Sequence, residues 1–320
     1  MEKKPVQDRA SLLADVAEMY YLEEKNQAAI AKTIGVTRSM VSRMLTEARE
    51  SGIVEIRIQR PLHSDSDLER ELKEKFGLKD VFVVVTSHRG GERLTRTLGT
   101  AGAQMLARYL APQRILGLAW GTSISATVDA FETKESMSLK VVQLVGAMGA
   151  HNMEYDGHDL VARITEKLGG EAYYLNAPYL CQSAELAKSL LETKSVRETI
   201  SVGKKTDIAL LGIGTTSPDH SSFYLAGYIT RRELDELRKA GAIGDVCGLH
   251  FDGNGQPACD DFCDRLVSIR RHDLLSIPVR LGVAGGEGKA DAILGALRSR
   301  YVNVLVIDNM TARKVLELAK

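Results

Sequence analysis

Apolar residues recur at two different spacings along this chain, and the change of spacing predicts two domains. In residues 8–60 they return every three or four positions, as at Leu12, Val16 and Met19, which is the period of an amphipathic helix. From Val81 onward, short runs rich in β-branched residues alternate with helical stretches instead. The length of 320 residues also suits two domains better than one.

The first region is predicted to be a winged helix-turn-helix domain over residues 1–60. Gly35 can adopt the left-handed conformation that ends a helix, and Thr37 can cap the helix that follows. The run from Ile53 to Gln59 alternates apolar and polar residues, which predicts a strand after the helices. The predicted helices are 8–24, Gln27 to Ile34, and Thr37 to about Glu50.

A connecting helix is predicted within residues 61–80. Leu68, Leu72 and Phe76 fall at four-residue intervals among charged residues and form one apolar stripe. This stripe can pack on its own domain or on a partner subunit, and the sequence leaves both arrangements open.

Residues 81–320 are predicted to form an α/β domain with a doubly wound, mostly parallel sheet, because strand-like and helical stretches alternate. In such a sheet the carboxyl ends of the strands converge on a ligand-binding crevice. The predicted strands are Val81–Val85, Arg114–Trp120, Lys140–Val145, Asp207–Ile213, Arg280–Val283 and Asn303–Ile307, and the predicted helices include Gly91–Tyr109, Asp156–Leu168 and Glu287–Arg300.

The second and third predicted helices have the composition of a DNA-binding helix-turn-helix. Ala31 is small where the helices cross, and Ile30, Ile34, Val41 and Met44 can fill the core between them. The outward positions carry arginines and short hydroxyl side chains, which suit a helix in the major groove. The candidate DNA contacts are Gln27, Thr37, Arg38, Ser39, Ser42, Arg43 and Thr46.

Arg43 is the first candidate for a base contact, because a guanidinium can bind O6 and N7 of guanine together. Arg38 can equally hold a phosphate, while Arg49, Arg57 and Arg60 would extend the basic face toward the DNA backbone. The net charge of the whole chain is zero, so DNA binding requires such a local basic face. An ordinary solvated surface is the alternative interpretation.

Two glycine-rich junctions after predicted strands are candidate anion sites. At the first, a strand breaks at Gly121, and the amides and the Thr122 and Ser123 hydroxyls at the start of the next helix can face an anion. At the second, Lys289 stands in a first helical turn, where a cation is disfavoured unless an anion binds beside it. A plain capped turn is the alternative at the first junction, and the second lacks the spacing of a phosphate-binding P-loop.

A third junction contains Asp252, whose carboxylate can accept hydrogen bonds from sugar hydroxyls, although Asp-Gly-Asn-Gly is also a good turn by itself. Gln143, Gly146 and Glu287 are further candidates at the same predicted sheet edge.

No metal ion, cofactor or membrane partner is expected. His151 and His158 are seven residues apart and do not share a helical face, and the four cysteines lack paired CxxC spacing. No apolar run reaches the length of about 18 residues that spans a bilayer, and the charged first residues do not look like a signal peptide. A reduced, cytoplasmic location is the expectation.

The motifs together resemble the SorC/DeoR-type sugar-binding transcriptional regulators over nearly the whole chain. The resemblance rests on the helix-turn-helix, WGTSI at 120–124, VVQLVGAMG at 141–149, NAP at 176–178, GDVCGLHFD at 244–252 and GVAGGEGKADAILGAL at 282–297. It implies an effector domain related to sugar-phosphate isomerases and deaminases, assembled as a homo-oligomer, usually a tetramer, that binds operator DNA.

The resemblance also implies roles for individual residues. Gly121, Thr122, Ser123 and Lys289 match positions that hold the effector phosphate, and Asp252 matches one that holds its hydroxyls. The effector is then a phosphorylated sugar or polyol, and the protein a regulator of a carbohydrate or polyol catabolic operon.

The alternative is a sugar-phosphate isomerase or deaminase with an accessory DNA-binding head. Its candidate residues are Asp252 as general base and Lys289 on the phosphate, with Glu287 or His250. The sequence pairs no base with an orienting partner, so we expect no catalysis.

Overall fold

The structure, a computed structural model, describes residues 9–56, 61–133, 135–149 and 155–320. The chain divides into two compact units, Met1–Pro61 and Leu62–Lys320. None of the described helices is both long enough and apolar enough to cross a membrane.

The smaller unit contains the three predicted helices, α1 (Arg9–Tyr21), α2 (Gln27–Ile34) and α3 (Arg38–Glu50). Val16, Ile30 and Val41 are fully buried at the centre of their common core. Gly35 ends α2 with φ +72°, a backbone conformation that favours glycine. The Thr37 hydroxyl caps α3 by accepting a hydrogen bond from the Met40 amide at 3.3 Å.

The strand expected from Ile53 to Gln59 is not present where the structure describes that segment. Residues 51–56 form a turn and bends, and the Val54 amide donates back to the Ala48 carbonyl at 2.9 Å. Residues 57–60, which include Arg57 and Arg60, lie outside the described residues.

The larger unit alternates strands and helices along most of its length. Its elements in the described residues are α4 (Ser66–Phe76), β1 (Asp80–Val84), α5 (Gly91–Ala107), β2 (Ile115–Leu118), α6 (Thr122–Ala130), β3 (Lys140–Gln143), α7 (Gly157–Leu168), β4 (Glu171–Tyr173), α8 (Ala184–Glu192), α9 (Lys194–Gly203), β5 (Ile208–Leu211), β6 (Gly214–Thr215), α10 (Ser222–Leu225), α11 (Arg231–Lys239), β7 (Gly244–Val246), β8 (Leu249–Phe251), α12 (Asp260–Cys263), α13 (Arg271–Ser276), β9 (Val279–Val283), a 3₁₀ turn (Glu287–Lys289), α14 (Ala290–Arg298), β10 (Val304–Asp308) and α15 (Asn309–Leu318).

The described residues form a seven-stranded parallel sheet in the order β1-β10-β9-β5-β2-β3-β4. It includes all six predicted strands, which confirms the mostly parallel α/β fold. From β2 the chain continues to β3 on one side, whereas β5 pairs with β2 on the other side and leads on to β9. The strand order therefore reverses between β2 and β5, where a crevice forms in doubly wound sheets. A smaller antiparallel sheet, β6-β7-β8, was not predicted.

The connecting helix α4 packs within the larger unit. Leu68 and Leu72 are buried in the same core as β1, and Phe76 is partly buried against it. The Asp65 side chain caps α4 by accepting from the Leu68 amide at 3.2 Å, and it also pairs with Arg313 of α15 at 3.0 Å. Of the two arrangements that the sequence leaves open, the structure has the stripe packed on its own domain.

Helices α5 and α6 approach closely through Gly99. A Cβ atom at this position would lie 2.5 Å from the backbone carbonyl carbon and oxygen of Ala126. Backbone cannot rotate aside as a side chain can, so this contact requires glycine in the middle of α5. Because α6 begins directly after Gly121, the contact also fixes the helix that follows β2.

We expect Gly99→Ala to destabilise the larger unit by about 1–3 kcal/mol, because overpacking outweighs the gain in helix propensity. Urea unfolding followed by fluorescence of the single tryptophan, Trp120, measures this unit. The matched control is Gly203→Ala, since a Cβ on that helical glycine meets only Leu144, at an ordinary 3.5 Å. Equal stability of the two variants would contradict the close approach.

Candidate functional site

A cleft lies at the reversal of strand order, beyond the carboxyl ends of β2 and β5. Most of its walls come from the segments that follow these two strands, and the rest from β7, the segment around α10 and the 3₁₀ turn after β9. The lining residues are Ala119, Trp120, Gly121, Thr122, Ser123, Gly212, Ile213, Gly214, Thr215, Ser221, Ser222, Phe223, Asp245, Cys247 and Lys289. The crevice expected from the fold thus brings Gly121, Thr122, Ser123 and Lys289 together.

The start of α6 forms one wall of the cleft. Gly121 has φ +130°, and a Cβ atom there would meet open space, so its backbone conformation rather than crowding requires glycine. No side chain caps this helix terminus. The Gly121 amide donates to the Tyr155 carbonyl at 3.1 Å, which leaves the next amides, with the Thr122 and Ser123 hydroxyls, as the groups able to meet an anion.

Lys289 supplies the positive charge of the cleft. Its Nζ lies 3.4 Å from the Ile213 carbonyl oxygen, at the end of β5. Burial lowers the pKa of the Lys289 ammonium below its ordinary value of 10.5, and the Asp245 carboxylate acts in the opposite direction. A partly desolvated cation of this kind gains from a negatively charged ligand.

Asp245 is a cleft residue that the sequence reasoning missed. Its Oδ2 accepts a hydrogen bond from the Gly248 amide at 2.9 Å. Its Oδ1 lies where a Cβ on Gly214 would come within 2.0 Å, so glycine at that position makes room for the carboxylate. The motif GDVCGLHFD that drew attention to Asp252 also contains Asp245, and nothing in its spacing separates the two acids.

Aromatic rings cover one side of the cleft. The Trp120 ring centroid lies 6.1 Å from that of Phe223, 6.2 Å from Tyr228 and 6.3 Å from Tyr179. Trp120 and Phe223 line the cleft itself. Such rings offer a flat apolar surface beside the polar groups, as is usual in small-molecule sites.

The glycine loop before Lys289 is held in place by Asp308. This fully buried carboxylate accepts from the Gly286 amide at 2.9 Å and caps α15 through the Thr311 amide at 2.9 Å. A Cβ on Gly285 would come within 2.4 Å of Asp308 Oδ2, so the loop packs directly on the acid. The position of Lys289 therefore depends on a residue at the end of the neighbouring strand β10.

Four other predicted site residues do not line this cleft. Asp252 accepts hydrogen bonds from the Asn254 and Gln256 amides at 2.9 and 2.8 Å, so its side chain stabilises the Asp-Gly-Asn-Gly turn. It lies beside Gly295, which is more than one helical turn along α14 from Lys289. Glu287 is exposed on the 3₁₀ turn.

Gln143 and Gly146 are buried behind the strand ends instead. Gln143 Oε1 accepts from the Leu175 amide at 3.1 Å, while its Nε2 has no partner among the described residues. A Cβ on Gly146 would lie 2.7 Å from the Ala177 carbonyl oxygen, so this glycine permits two backbone segments to pack together.

The groups considered for catalysis are not assembled at one point. His250 is buried beside Phe262, at 5.4 Å between ring centroids, and burial lowers the pKa of its imidazole. Cys247 lines the cleft, but burial raises the pKa of its thiol well above the usual value, so it remains a weak nucleophile. His151 lies outside the described residues, and no metal-binding cluster occurs among those that are described.

Most of the side chains predicted to contact DNA lie on α3, whereas Gln27 begins α2 and Thr37 caps α3. Thr37, Arg38, Ser39, Ser42 and Arg43 are exposed, whereas Gln27 and Thr46 are half-buried. The Thr37 and Ser39 hydroxyl oxygens are 3.0 Å apart, and Arg49 donates to Thr46 Oγ1 at 3.4 Å.

Asn26 is a structural position at the start of α2 that the sequence did not single out. Its side chain accepts from the Ala29 amide at 3.0 Å and caps the helix. An Asn directly before an apolar helical run is a recognisable cap signal that the sequence reasoning passed over.

Comparison with known proteins places this geometry in context. Residues 60–317 match the family model described as "Putative sugar-binding domain". The chain is 30% identical over 312 residues to the sorbitol operon regulator of Klebsiella pneumoniae, covering 97% of this chain and 99% of that protein. It is 29% identical over 306 residues to the deoxyribonucleoside regulator of Bacillus subtilis, covering 96% and 97%.

The fold is also similar to that of a solved structure of one of these relatives. The crystal structure of the full-length sorbitol operon regulator SorC from Klebsiella pneumoniae matches with a TM-score of 0.72 at 29% identity, covering 97% of this chain and 99% of that one.

Proposed function

We infer the function of this chain from its family, because it belongs to the SorC-type transcriptional regulators that carry a sugar-binding domain. We propose that the smaller unit binds operator DNA through the outward face of α3. We further propose that the cleft of the larger unit binds a phosphorylated sugar or polyol, and that the protein thereby controls a carbohydrate or polyol catabolic operon.

The observation that supports this proposal best is the pairing of Lys289 with the uncapped start of α6 across one cleft. A helix N-terminus and a partly desolvated ammonium both favour a phosphate group. The remaining walls suit the rest of such a ligand, since Asp245 can accept hydrogen bonds from hydroxyls and Trp120 can pack on the carbon skeleton. We assign the hydroxyl contact to Asp245 in place of Asp252.

Regulation would follow from linkage between the two sites. A ligand that binds one arrangement of the protein more tightly than another shifts the population toward that arrangement, and so changes the affinity for DNA. Coupling of about 1–3 kcal/mol changes operator affinity by roughly five- to 150-fold. We take the protein to be a homo-oligomer, a tetramer, in the cytoplasm. Such an assembly would present several copies of the smaller unit to paired half-sites of the operator.

The same geometry argues against the enzyme alternative. Asp252, His250 and Lys289 do not converge, and the cleft has a carboxylate beside the cation without a histidine partner among its described lining residues. The relatives compared above are named as regulators. We therefore propose a ligand-binding domain without catalysis.

We expect Arg43→Ala to lower affinity for an operator, selected from random duplexes by the wild-type protein, by about 1–3 kcal/mol, because a bidentate guanine contact is lost. Affinity for unrelated DNA should change less. Fluorescence anisotropy at fixed salt measures both.

Two variants serve as controls for Arg43. Arg38→Ala should weaken binding to both DNAs alike if Arg38 holds a phosphate. Lys25→Ala removes the same charge from the loop before α2, where Lys25 pairs with Glu23. If Arg43→Ala binds the selected operator as the wild type does, α3 does not read the sequence through this residue.

We expect Lys289→Ala to weaken the binding of the phosphorylated effector by about ten- to a hundredfold, since hydrogen bonds to charged groups contribute about 1.5–3 kcal/mol. A thermal-shift screen of sugars and polyols with their phosphates identifies the ligand, and calorimetry then measures its affinity. Lys188→Ala, which removes an exposed lysine on α8, is the matched control.

The pH dependence has a definite sign. The lowered pKa means that Lys289 loses its proton at a lower pH than an ordinary lysine, so the affinity should fall as the pH rises toward 10.5. Lys289→Arg should keep its affinity over the same range, because a guanidinium stays protonated. An alkaline decrease of equal size in both proteins would argue against a role for Lys289.

We expect Asp245→Asn to weaken binding of the phosphorylated effector but not of inorganic phosphate. The variant replaces one of the two acceptor oxygens by an amide NH₂ donor, and it also removes a negative charge beside Lys289. Asp252→Asn should leave both affinities unchanged, because asparagine preserves the turn. If Asp252→Asn weakened effector binding and Asp245→Asn did not, Asp252 rather than Asp245 would contact the hydroxyls.

A further inference from the structure

A second cavity lies at the opposite edge of the sheet, where β1, β9 and β10 begin. Its volume is about 370 Å³, within the range of roughly 300–1,000 Å³ that small-molecule sites occupy. The five residues of β9 separate this cavity from the cleft, a distance of roughly 15 Å at ~3.3 Å per residue. A ligand of the cleft therefore does not extend into it.

The polar wall of this cavity is cationic. Lys79, Arg280 and Arg300 line it together with Asn303, and no carboxylate does so among the described residues. Lys79 and Arg300 are exposed, whereas Arg280 is only 9% exposed. Three cationic residues thus line one space without an acidic partner among its described lining residues.

The buried guanidinium of Arg280 is held by neutral acceptors. It donates to the Arg300 carbonyl from Nε at 3.2 Å and from Nη2 at 3.1 Å, and from Nη1 to the Leu275 carbonyl at 3.2 Å and the Ile277 carbonyl. Carbonyl dipoles orient the group but leave its full charge uncompensated. Burial alone lowers its pKa, with no contribution from a carboxylate, in agreement with this picture.

The other polar groups are oriented in the same way. Lys79 Nζ donates to the Pro278 carbonyl at 2.6 Å, and Asn303 Nδ2 donates to the same oxygen at 3.0 Å. Asn303 Oδ1 accepts from the Arg280 amide at 2.7 Å. These hydrogen bonds hold the polar side chains against the backbone that precedes β9 and β10. Because the side chains are already oriented, fewer of them would have to be ordered when a ligand binds.

The cavity also has apolar lining residues. Phe76, at the end of α4, and Leu297, in the last turn of α14, both line it. A lining with both cationic and apolar residues suits a small molecule that has charged groups and a carbon skeleton. A desolvated charge without a counter-ion is costly, and an anion would offset that cost.

We propose that this cavity is a second ligand site, for a small organic anion that carries at least two negative charges as phosphate or carboxylate groups. Helix α14 starts directly after Lys289 and reaches this cavity at Leu297. The site is separate from the cleft and does not depend on the function proposed for it.

Calorimetric titration of the full chain with inorganic pyrophosphate and with citrate tests the site and separates the two kinds of charged group. The decisive variant is Lys79→Ala with Arg300→Ala, because both side chains are exposed and their removal leaves the buried Arg280 network intact. We expect saturable binding of at least one probe to the wild type, and an affinity at least tenfold lower in this double variant. Lys289→Ala, which removes the cation of the cleft, should still show saturable binding of that probe at the second cavity.

The matched control is Arg197→Ala with Lys205→Ala, which removes the same charge from exposed positions outside both cavities. It should bind as the wild type does. Equal weakening in this control would mean a non-specific charge effect and overturn the proposal. So would loss of binding in Lys289→Ala alone, which would place the probe in the cleft, or the absence of saturable binding of both probes.

Discussion

The direction in which the chain leaves β2 and β5 is the constraint on which the rest of this structure depends. All the strands of the main sheet in the described residues are parallel, so their carboxyl ends lie at one edge. Between β2 and β5 the connections leave toward opposite sides, which opens a gap between them. Gly121, Lys289 and Asp245 come from separate segments of the chain, yet this gap brings them to one cleft. The close contact of Gly99 with Ala126 then fixes the helix that begins there.

Charge is distributed unevenly between the two edges of the main sheet. In the cleft a lysine and an aspartate oppose one another, so that the site is polar rather than purely cationic, and a ligand with both phosphate and hydroxyl groups satisfies both. At the other edge of the sheet Arg280 is buried against carbonyl groups, without a carboxylate among the described residues that line its cavity. Helix α14 begins directly after Lys289 of the cleft and reaches the second cavity at Leu297, so one helix connects two sites of different charge.

The division into two units suits a regulator. The smaller unit has its own core around Val16, Ile30 and Val41, and the larger unit buries its apolar residues separately. The side chains proposed to contact DNA and the cleft therefore depend on different sets of contacts, and a ligand can influence DNA binding only through the relative stability of different arrangements of the protein.

Local pattern determined most of the secondary structure, and it also predicted the face that we propose to bind DNA. Apolar runs predicted the six long strands, and Gly35 with Thr37 marked the turn between α2 and α3, because these signals depend on residues close together in the chain. The three-residue strand β4 and the small antiparallel sheet were missed. Strands of two or three residues are too short to show an alternation of apolar and polar positions. Only the tertiary structure decided that the stripe on α4 faces its own domain, and that Asp245 rather than Asp252 lines the cleft. Both acids follow short apolar runs in one motif, and it is the long-range packing of Asp245 against Gly214 and of Asp252 beside α14 that separates them.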